Sequence, residues 1–209
     1  MAISDTQRTL ASAVLNTSTV RPGIQSIAID PARSESVTFE GSSFGSTGQY
    51  EKLRGTAYGE LDPADPRNAV ITDIELAPVN ARGLVEYSMD IFILKPIDLN
   101  KGNHRMLYDF NNRGQMRVGL FNDAVATNDP KTAEDAGTGF IMNLGYTVVG
   151  SGWEPAVSGV DAMKITVPVA TKDGVTITGP SYEYIVFDND ITQSSRLAYA
   201  AANTDKSQA

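Results

Sequence analysis

The sequence predicts an α/β fold, in which a helical crossover joins two strands of a β-rich sheet. Three observations lead to this prediction: an apolar run at residues 105–110 ends at a polar turn, helical spacing follows up to residue 144, and a β-branched run occupies residues 146–149. Strand, helix and strand in this order make a parallel βαβ unit. We therefore expect residues 105–110 and 146–149 to be parallel neighbours, joined by a helix from about residue 131 to residue 144.

Strand-like patterns flank this crossover on both sides. Apolar alternation or β-branched runs lie at residues 24–29, 37–39, 50–58, 69–76, 84–94, 163–170, 175–177 and 182–187. A second stretch of helical spacing includes Met116, Leu120 and Phe121. The chain is therefore expected to form a loosely ordered lead-in over residues 1–22 and one domain over residues 23–209. That domain would carry a β-rich insertion at about residues 155–195.

Composition excludes several classes of function. Hydrophobic residues make up 41% of the chain and charged residues 20%, which is ordinary for a folded domain. The net charge of −8 repels phosphate backbones and anionic lipids, so we expect no nucleic-acid and no membrane partner. The first residues show no signal peptide. The location is left open: periplasmic or secreted if the N-terminus is processed, and cytoplasmic otherwise.

The residue types needed for many catalytic centres are scarce. The chain has no cysteine and one histidine, His104, which removes thiolate chemistry and multi-histidine metal sites. We therefore expect no metal and no cofactor. A Gly-Ser-Ser-Phe-Gly pattern at residues 41–45 matches a serine nucleophile motif, but no helical pattern follows Ser43. We interpret Ser43 and His104 as loop residues, so no catalytic residue is assigned.

Six motifs, in this order, resemble the family of α/β-hydrolase-domain proteins, which are large bacterial proteins of poorly defined substrate. The motifs are YEKLRG at 50–55, DPADPRN at 62–68, LAPVNARG at 76–83, VEYS at 85–88, NNRG at 111–114 and GYTVVGSGW at 145–153. The resemblance covers roughly residues 37–209. It implies a partial α/β-hydrolase-type sheet with β-rich segments on its N-terminal and C-terminal sides.

The resemblance also implies a function. In that family the nucleophile lies further along the chain, so this chain resembles the N-terminal part of a serine hydrolase that cleaves small carboxylic esters or lactones. Such a part would be inactive alone, and its incomplete sheet edge would favour association. The alternative is a non-catalytic β-rich binding or interaction module. The coding sequence downstream of Ala209 distinguishes them, because an open frame with a nucleophile turn supports the hydrolase.

Two segments are candidates for a ligand site, because each follows a strand of the expected parallel pair. Asn112, Arg113 and Gly114 follow the first strand and are candidates for an oxyanion hole, whose backbone N–H groups would face the substrate. The alternative is a plain strand-to-helix turn. Trp153, the only tryptophan, follows the second strand and is a candidate wall of the pocket, although buried packing is the alternative role.

Overall fold

A mixed β-sheet forms the centre of the molecule in the computed structural model, which describes residues 22–159, 161–179 and 186. Its strand order is β1-β2-β3-β5-β4, with β6 paired to β3. Strands β7 and β8 form a separate hairpin. The bounds are β1 Gly23–Ile29, β2 Tyr50–Leu61, β3 Val85–Pro96, β4 Met106–Asp109, β5 Thr147–Ser151, β6 Ile165–Thr166, β7 Thr171–Lys172 and β8 Val175–Thr176.

The longest pairing in this sheet joins β2 and β3. The two strands are antiparallel and remain in register from Tyr50 opposite Pro96 to Leu61 opposite Val85. Strand β1 adds to the outer side of β2, and β5 adds antiparallel to β3. The sheet is therefore mostly antiparallel, with β4 at one edge of the described strands.

The predicted parallel pair is present. Strands β4 and β5 are parallel neighbours, with Met106 opposite Thr147 and Asp109 opposite Gly150, which confirms this part of the prediction. The predicted α/β class is wrong, because the segment between them is not a helix. It contains the 3-10 helices Val118–Asn122 and Glu134–Ala136 and only a four-residue helix, α1, at Phe140–Asn143.

Backbone conformation explains why the crossover helix does not form. Asp123, Gly137 and Gly139 have positive φ angles of 54°, 52° and 66°, which place them outside the right-handed helical region. Pro130 lacks an N–H group and disfavours helix through the residue before it. Loops and single helical turns therefore cover the sheet where helices were expected.

Several other predicted elements differ for local reasons. The predicted strand at 69–76 is a run of turns ending in the 3-10 helix Ile74–Leu76, where Asp73 has a φ of 57°. At 37–39 the chain enters a 3-10 helix, and at 163–170 only β6 is a strand.

The predicted helical stripe of Met116, Leu120 and Phe121 is not formed. Met116 is buried, while Leu120 and Phe121 are exposed. The predicted strand at 182–187 lies outside the described residues, apart from Val186.

One face of the sheet carries the hydrophobic core. Phe92, Leu94 and Val148 project from β3 and β5 onto Met116 in a covering loop and Met142 in α1. Burying each of these side chains stabilises the fold by roughly 1.5–3 kcal/mol. The loops thus supply the apolar surface that helices supply in a layered α/β protein.

Two buried cations of β2 lie on the same face as this core. Lys52 and Arg54 are 0% and 2% exposed, and they follow Tyr50 at every second residue. The Lys52 ammonium contacts Asp129 Oδ1, Glu35 Oε1 at 3.3 Å and the Pro130 carbonyl oxygen at 3.2 Å. These contacts fasten two separate loops to one strand.

The hydrogen-bonded cations around Asp129 also lower the pKa of its carboxyl group. Burial raises the pKa of Asp129, but hydrogen bonds from Lys131 and Lys52 outweigh that effect, so the net pKa lies below its ordinary value. The Asp129 carboxylate is therefore held in its charged form, as the contact with Lys52 requires.

Replacing Lys52 with methionine should destabilise the fold, because it removes the ion-pair partner of Glu35 and one of the two cations paired with Asp129, the other being Lys131. Both partners are partly exposed, at 24% and 29%, so the expected loss lies below the ~3–5 kcal/mol typical of a fully buried pair, at about 2–3 kcal/mol. Urea unfolding measures this loss. The control, Lys101→Met at an exposed site, should change stability by less than about 0.5 kcal/mol. Equal unfolding midpoints for the two variants would show that Lys52 is not a structural cation.

Candidate functional site

The carboxyl ends of β4 and β5 lie side by side, with Asp109 opposite Gly150. Phe110 and Trp153 follow these ends and stack on each other, with ring centroids 5.4 Å apart and an interplanar angle of 15°. Phe110 is 73% exposed and Trp153 is 39% exposed. The Trp153 Nε1–H group donates to the Asn111 carbonyl oxygen at 2.8 Å, which fixes the orientation of the indole.

Two hydroxyl groups lie at the same end of the parallel pair. The Tyr108 hydroxyl and Ser151 Oγ are 2.6 Å apart, and Tyr108 is 45% exposed. Asn111 Nδ2 donates to the Ser151 carbonyl oxygen at 2.7 Å, so both strand ends are tied together. We call Tyr108, Phe110, Ser151 and Trp153 the aromatic shelf. It offers ring surface and hydroxyl groups to solvent beyond the carboxyl ends of the parallel pair, which is where open α/β sheets bind their ligands.

The predicted oxyanion segment forms a tight turn next to the aromatic shelf. Asn112 and Gln115 exchange both backbone hydrogen bonds, at 2.9 and 3.1 Å. Arg113 and Gly114 have φ angles of 49° and 83°, so both central residues are left-handed, as in a type I′ turn. Gly114 N–H donates to Asn111 Oδ1 at 2.9 Å. The turn directly follows Asn111, whose carbonyl oxygen accepts from the Trp153 indole, so the turn and Trp153 are connected through that residue.

The hydrogen bonds of this turn bear on the oxyanion hypothesis. An oxyanion hole needs N–H groups that point at the ligand. The N–H groups of Asn112 and Gly114 donate within the turn instead. An oxyanion role would therefore require these two bonds to exchange for bonds to substrate. The assignment of Asn112, Arg113 and Gly114 stays a prediction.

Buried polar side chains that the sequence analysis missed hold the turn in place. Asn128 Nδ2 donates to the carbonyl oxygens of Gly114 and Asp161 at 2.6 and 2.8 Å, while its Oδ1 accepts from the Met116 N–H at 2.8 Å. Asp109 Oδ2 accepts from the N–H groups of Arg117 and Val118. Asn128 lies just before the helix that the sequence predicts from about residue 131, so its role had no separate signal in the sequence.

Phe110 and Tyr108 were also missed as site residues. Their signal is present in the sequence, because Tyr108 and Phe110 alternate with Leu107 and Asp109 along the strand. That alternation gives the strand two different faces. In the structure Leu107 packs against the core, and the two aromatic rings are exposed.

The structure places Ser43 and His104 in loops, as the sequence analysis interpreted them. Ser43 is exposed, and no described residue hydrogen-bonds to its hydroxyl group. His104 is exposed in the turn before β4, with a φ angle of 57°. Within the described ranges, no group of three or more His, Asp or Glu side chains is arranged to hold a metal ion. In the same part of the chain, no helix is long and apolar enough to cross a membrane.

Comparison with known proteins adds no assignment. No family model, no curated protein and no solved structure matches the chain. The resemblance to α/β-hydrolase-domain proteins therefore stays a prediction, and the chemistry of the site is argued from its own residues.

Replacing Gly114 with alanine should destabilise the turn more than the same change at Gly83. Both glycines have positive φ, at 83° and 77°, so an alanine at either position costs roughly 1–2 kcal/mol of backbone strain. A Cβ at Gly114 would also lie 2.9 Å from the Met163 carbonyl oxygen, while one at Gly83 meets nothing within 4 Å. We expect an additional loss of about 1–2 kcal/mol for Gly114→Ala, measured by thermal or urea unfolding. Equal losses would mean that Gly114 is not closely packed against residue 163.

Proposed function

We propose that this chain is the substrate-binding part of a serine hydrolase that acts on carboxylic esters or lactones, and that it holds the substrate on the aromatic shelf. The observation that carries the proposal is the convergence of the Asn112–Gly114 turn and Trp153 at the carboxyl ends of two parallel strands. In open α/β sheets such ends are the usual ligand sites, and this mostly antiparallel sheet contains one parallel pair. The nucleophile, the base and the acid would come from residues outside this chain.

The chemistry of the aromatic shelf favours a neutral substrate with an aromatic or flat apolar group. The exposed ring of Phe110 offers a stacking surface, and aromatic pairs are worth roughly 0.5–1.5 kcal/mol beyond burial. Tyr108 and Ser151 use one hydroxyl proton between them, and the other proton can be donated to an ester carbonyl oxygen. The net charge of −8 disfavours carboxylates, so an ester should bind better than the acid released from it.

The described residues contain no complete catalytic arrangement. A serine nucleophile needs a base within hydrogen-bonding reach and an orienting group behind that base. Ser151 contacts only the Tyr108 hydroxyl through its Oγ, and no described histidine, lysine or carboxylate hydrogen-bonds to that pair. The shelf is therefore suited to binding and positioning a substrate.

A non-catalytic binding module is the second candidate, and one observation favours it. The internal hydrogen bonds of the 112–115 turn leave the N–H groups of Asn112 and Gly114 directed at protein atoms. A binding module would use the same aromatic shelf and would need no oxyanion donors. The hydrolase part and the binding module would therefore both bind a ligand on the aromatic shelf. They differ in whether that ligand is hydrolysed when the chain is part of a longer protein.

Phenyl butyrate should bind at the shelf and change the fluorescence of Trp153, which is the only tryptophan and therefore reports on this site alone. Phe110→Ala should weaken binding at least fivefold, because the stacking surface is lost. Phe140→Ala removes another exposed phenylalanine, 53% exposed on α1, and should leave the affinity unchanged. Butyrate alone should bind more weakly than the ester. An identical response of the two alanine variants would contradict the location of the site.

A fluorophosphonate probe should leave the chain unlabelled, because no serine described here has a base beside it. Mass spectrometry of the intact protein after incubation measures the result, with an active serine esterase as the positive control. Stoichiometric labelling at Ser43 or Ser151 would show that this chain carries its own nucleophile, and it would overturn the assignment of a purely binding role.

A further inference from the structure

Asn111 lies two residues beyond the end of β4 and joins the segments that carry the aromatic shelf. It is 1% exposed, so its side chain is closed to solvent and to any ligand of the shelf. Its Nδ2 group donates to the Ser151 carbonyl oxygen at 2.7 Å, and its Oδ1 accepts from the Gly114 N–H at 2.9 Å. Its carbonyl oxygen accepts from Trp153 Nε1 at 2.8 Å. One buried residue thus connects β5, the turn and the indole ring.

The side-chain amide of Asn111 meets two opposite requirements. The Ser151 carbonyl oxygen needs a donor and the Gly114 N–H group needs an acceptor, and one planar amide supplies both. An ionised aspartate has the same shape but supplies only acceptors, and alanine supplies neither group. Leaving a buried carbonyl or N–H group without its partner is unfavourable. The chemistry of the amide, as well as its size, therefore sets the distance between the turn and the end of β5.

Both halves of the aromatic shelf take their positions from groups that Asn111 binds. Ser151 carries the hydroxyl group that lies 2.6 Å from the Tyr108 hydroxyl. Trp153 presents the ring on which Phe110 stacks, with the ring centroids 5.4 Å apart. A binding surface keeps its geometry only while the residues behind it hold its groups in place. Among the described residues, Asn111 is the one that hydrogen-bonds to both Ser151 and Trp153.

We propose that Asn111 is the positioning residue of the aromatic shelf, and that it holds the Ser151 hydroxyl group and the Trp153 ring in the arrangement that receives the ligand. It acts through these two residues and does not touch the ligand itself. The statement that the ligand is an ester rests on the proposed function, whereas the positioning of Trp153 does not. Replacing the amide with a group that cannot donate should therefore change the shelf even where the fold is retained.

The substitution Asn111→Asp makes the donor depend on pH. In its ionised form the introduced carboxyl group still accepts from the Gly114 N–H but repels the Ser151 carbonyl oxygen. In its protonated form it donates to that oxygen, which restores both hydrogen bonds. Burial raises the pKa of the introduced group, so the change should occur above the ordinary value of about 3.9.

The affinity for phenyl butyrate, followed by Trp153 fluorescence at pH 5 and at pH 8, measures the effect. Asn111→Asp should bind the ester at least fivefold more weakly at pH 8 than at pH 5, while the affinity of the unaltered protein should change less than twofold. Asn111→Ala should bind weakly at both pH values. Far-UV circular dichroism establishes that each variant is folded. Unchanged affinity in both folded variants would overturn the proposal.

The matched control is Asn122→Asp. Asn122 is also a buried asparagine, 4% exposed, but its Oδ1 accepts from the Ile141 N–H outside the aromatic shelf. The carboxylates that adjoin the shelf in the sequence, Asp109 and Glu154, are present in every variant and cannot cause a difference between variants. Asn122→Asp should therefore lose stability without gaining a pH-dependent affinity. Equal pH dependence of the two aspartate variants would show a general effect of a buried carboxylate and would also overturn the proposal.

The NMR signal of the Trp153 indole proton separates this proposal from the proposed function, because the chain has one tryptophan and so one such signal. If phenyl butyrate does not bind the unaltered protein, the proposed function fails, but this signal still tests the positioning role. In Asn111→Asp the signal should shift between pH 5 and pH 8, and at pH 5 it should match that of the unaltered protein.

A measurement on the unaltered protein needs no variant to fold. The Trp153 indole proton should exchange with solvent at least tenfold more slowly than that of free tryptophan, because it is bonded to the Asn111 carbonyl oxygen. Exchange at the free rate, or a folded Asn111→Asp variant whose indole signal does not shift with pH, would overturn the positioning role whether or not the ester binds.

Discussion

The rest of the structure depends on the ion pairs of Lys52. Its ammonium group extends from β2 into the loops that cover the sheet and is buried there. A sheet covered by helices is held by broad apolar surfaces. Here the cover is built of loops and short helical turns, so charged and polar side chains must fix its position. Lys52 contacts Asp129, Glu35 and the Pro130 carbonyl oxygen, and Arg54 contacts Asp161 at 3.1 Å. The cation of each pair is buried, while its carboxylate partners are 24–37% exposed, so water screens these pairs in part.

A continuous series of contacts leads from these ion pairs to the aromatic shelf. Asn128 directly precedes Asp129, and its side chain binds the backbone of Gly114 and Met116. Gly114 in turn receives a bond from Met163, and its own N–H group bonds to Asn111. Asn111 then accepts from the indole of Trp153. The position of the aromatic shelf therefore depends on the same polar network that stabilises the cover of the sheet.

The sequence allowed the parallel pair to be predicted, because two short apolar runs are local signals and the crossover rule relates them in space. The sequence did not allow the irregular backbone of the crossover to be predicted. Gly137 and Gly139 adopt left-handed conformations there, which tertiary contacts select. The Asn112–Gly114 turn and Trp153 were expected at one site from their positions after strands. Phe110 was missed because its exposure depends on β4 lying at the sheet edge.

Among the described strands, β4 lies at the edge of the sheet, so the aromatic shelf adjoins a strand with which another strand could pair. Met106 and Tyr108 are 64% and 45% exposed on that strand, and Phe110 follows it directly. A strand that paired with β4 would satisfy its outer backbone groups and would lie next to the aromatic shelf. It would then alter the affinity of the shelf for its ligand, and the ligand would alter the affinity of the strand by the same factor. A ligand of the aromatic shelf and a strand that paired with β4 would therefore be coupled through Tyr108 and Phe110.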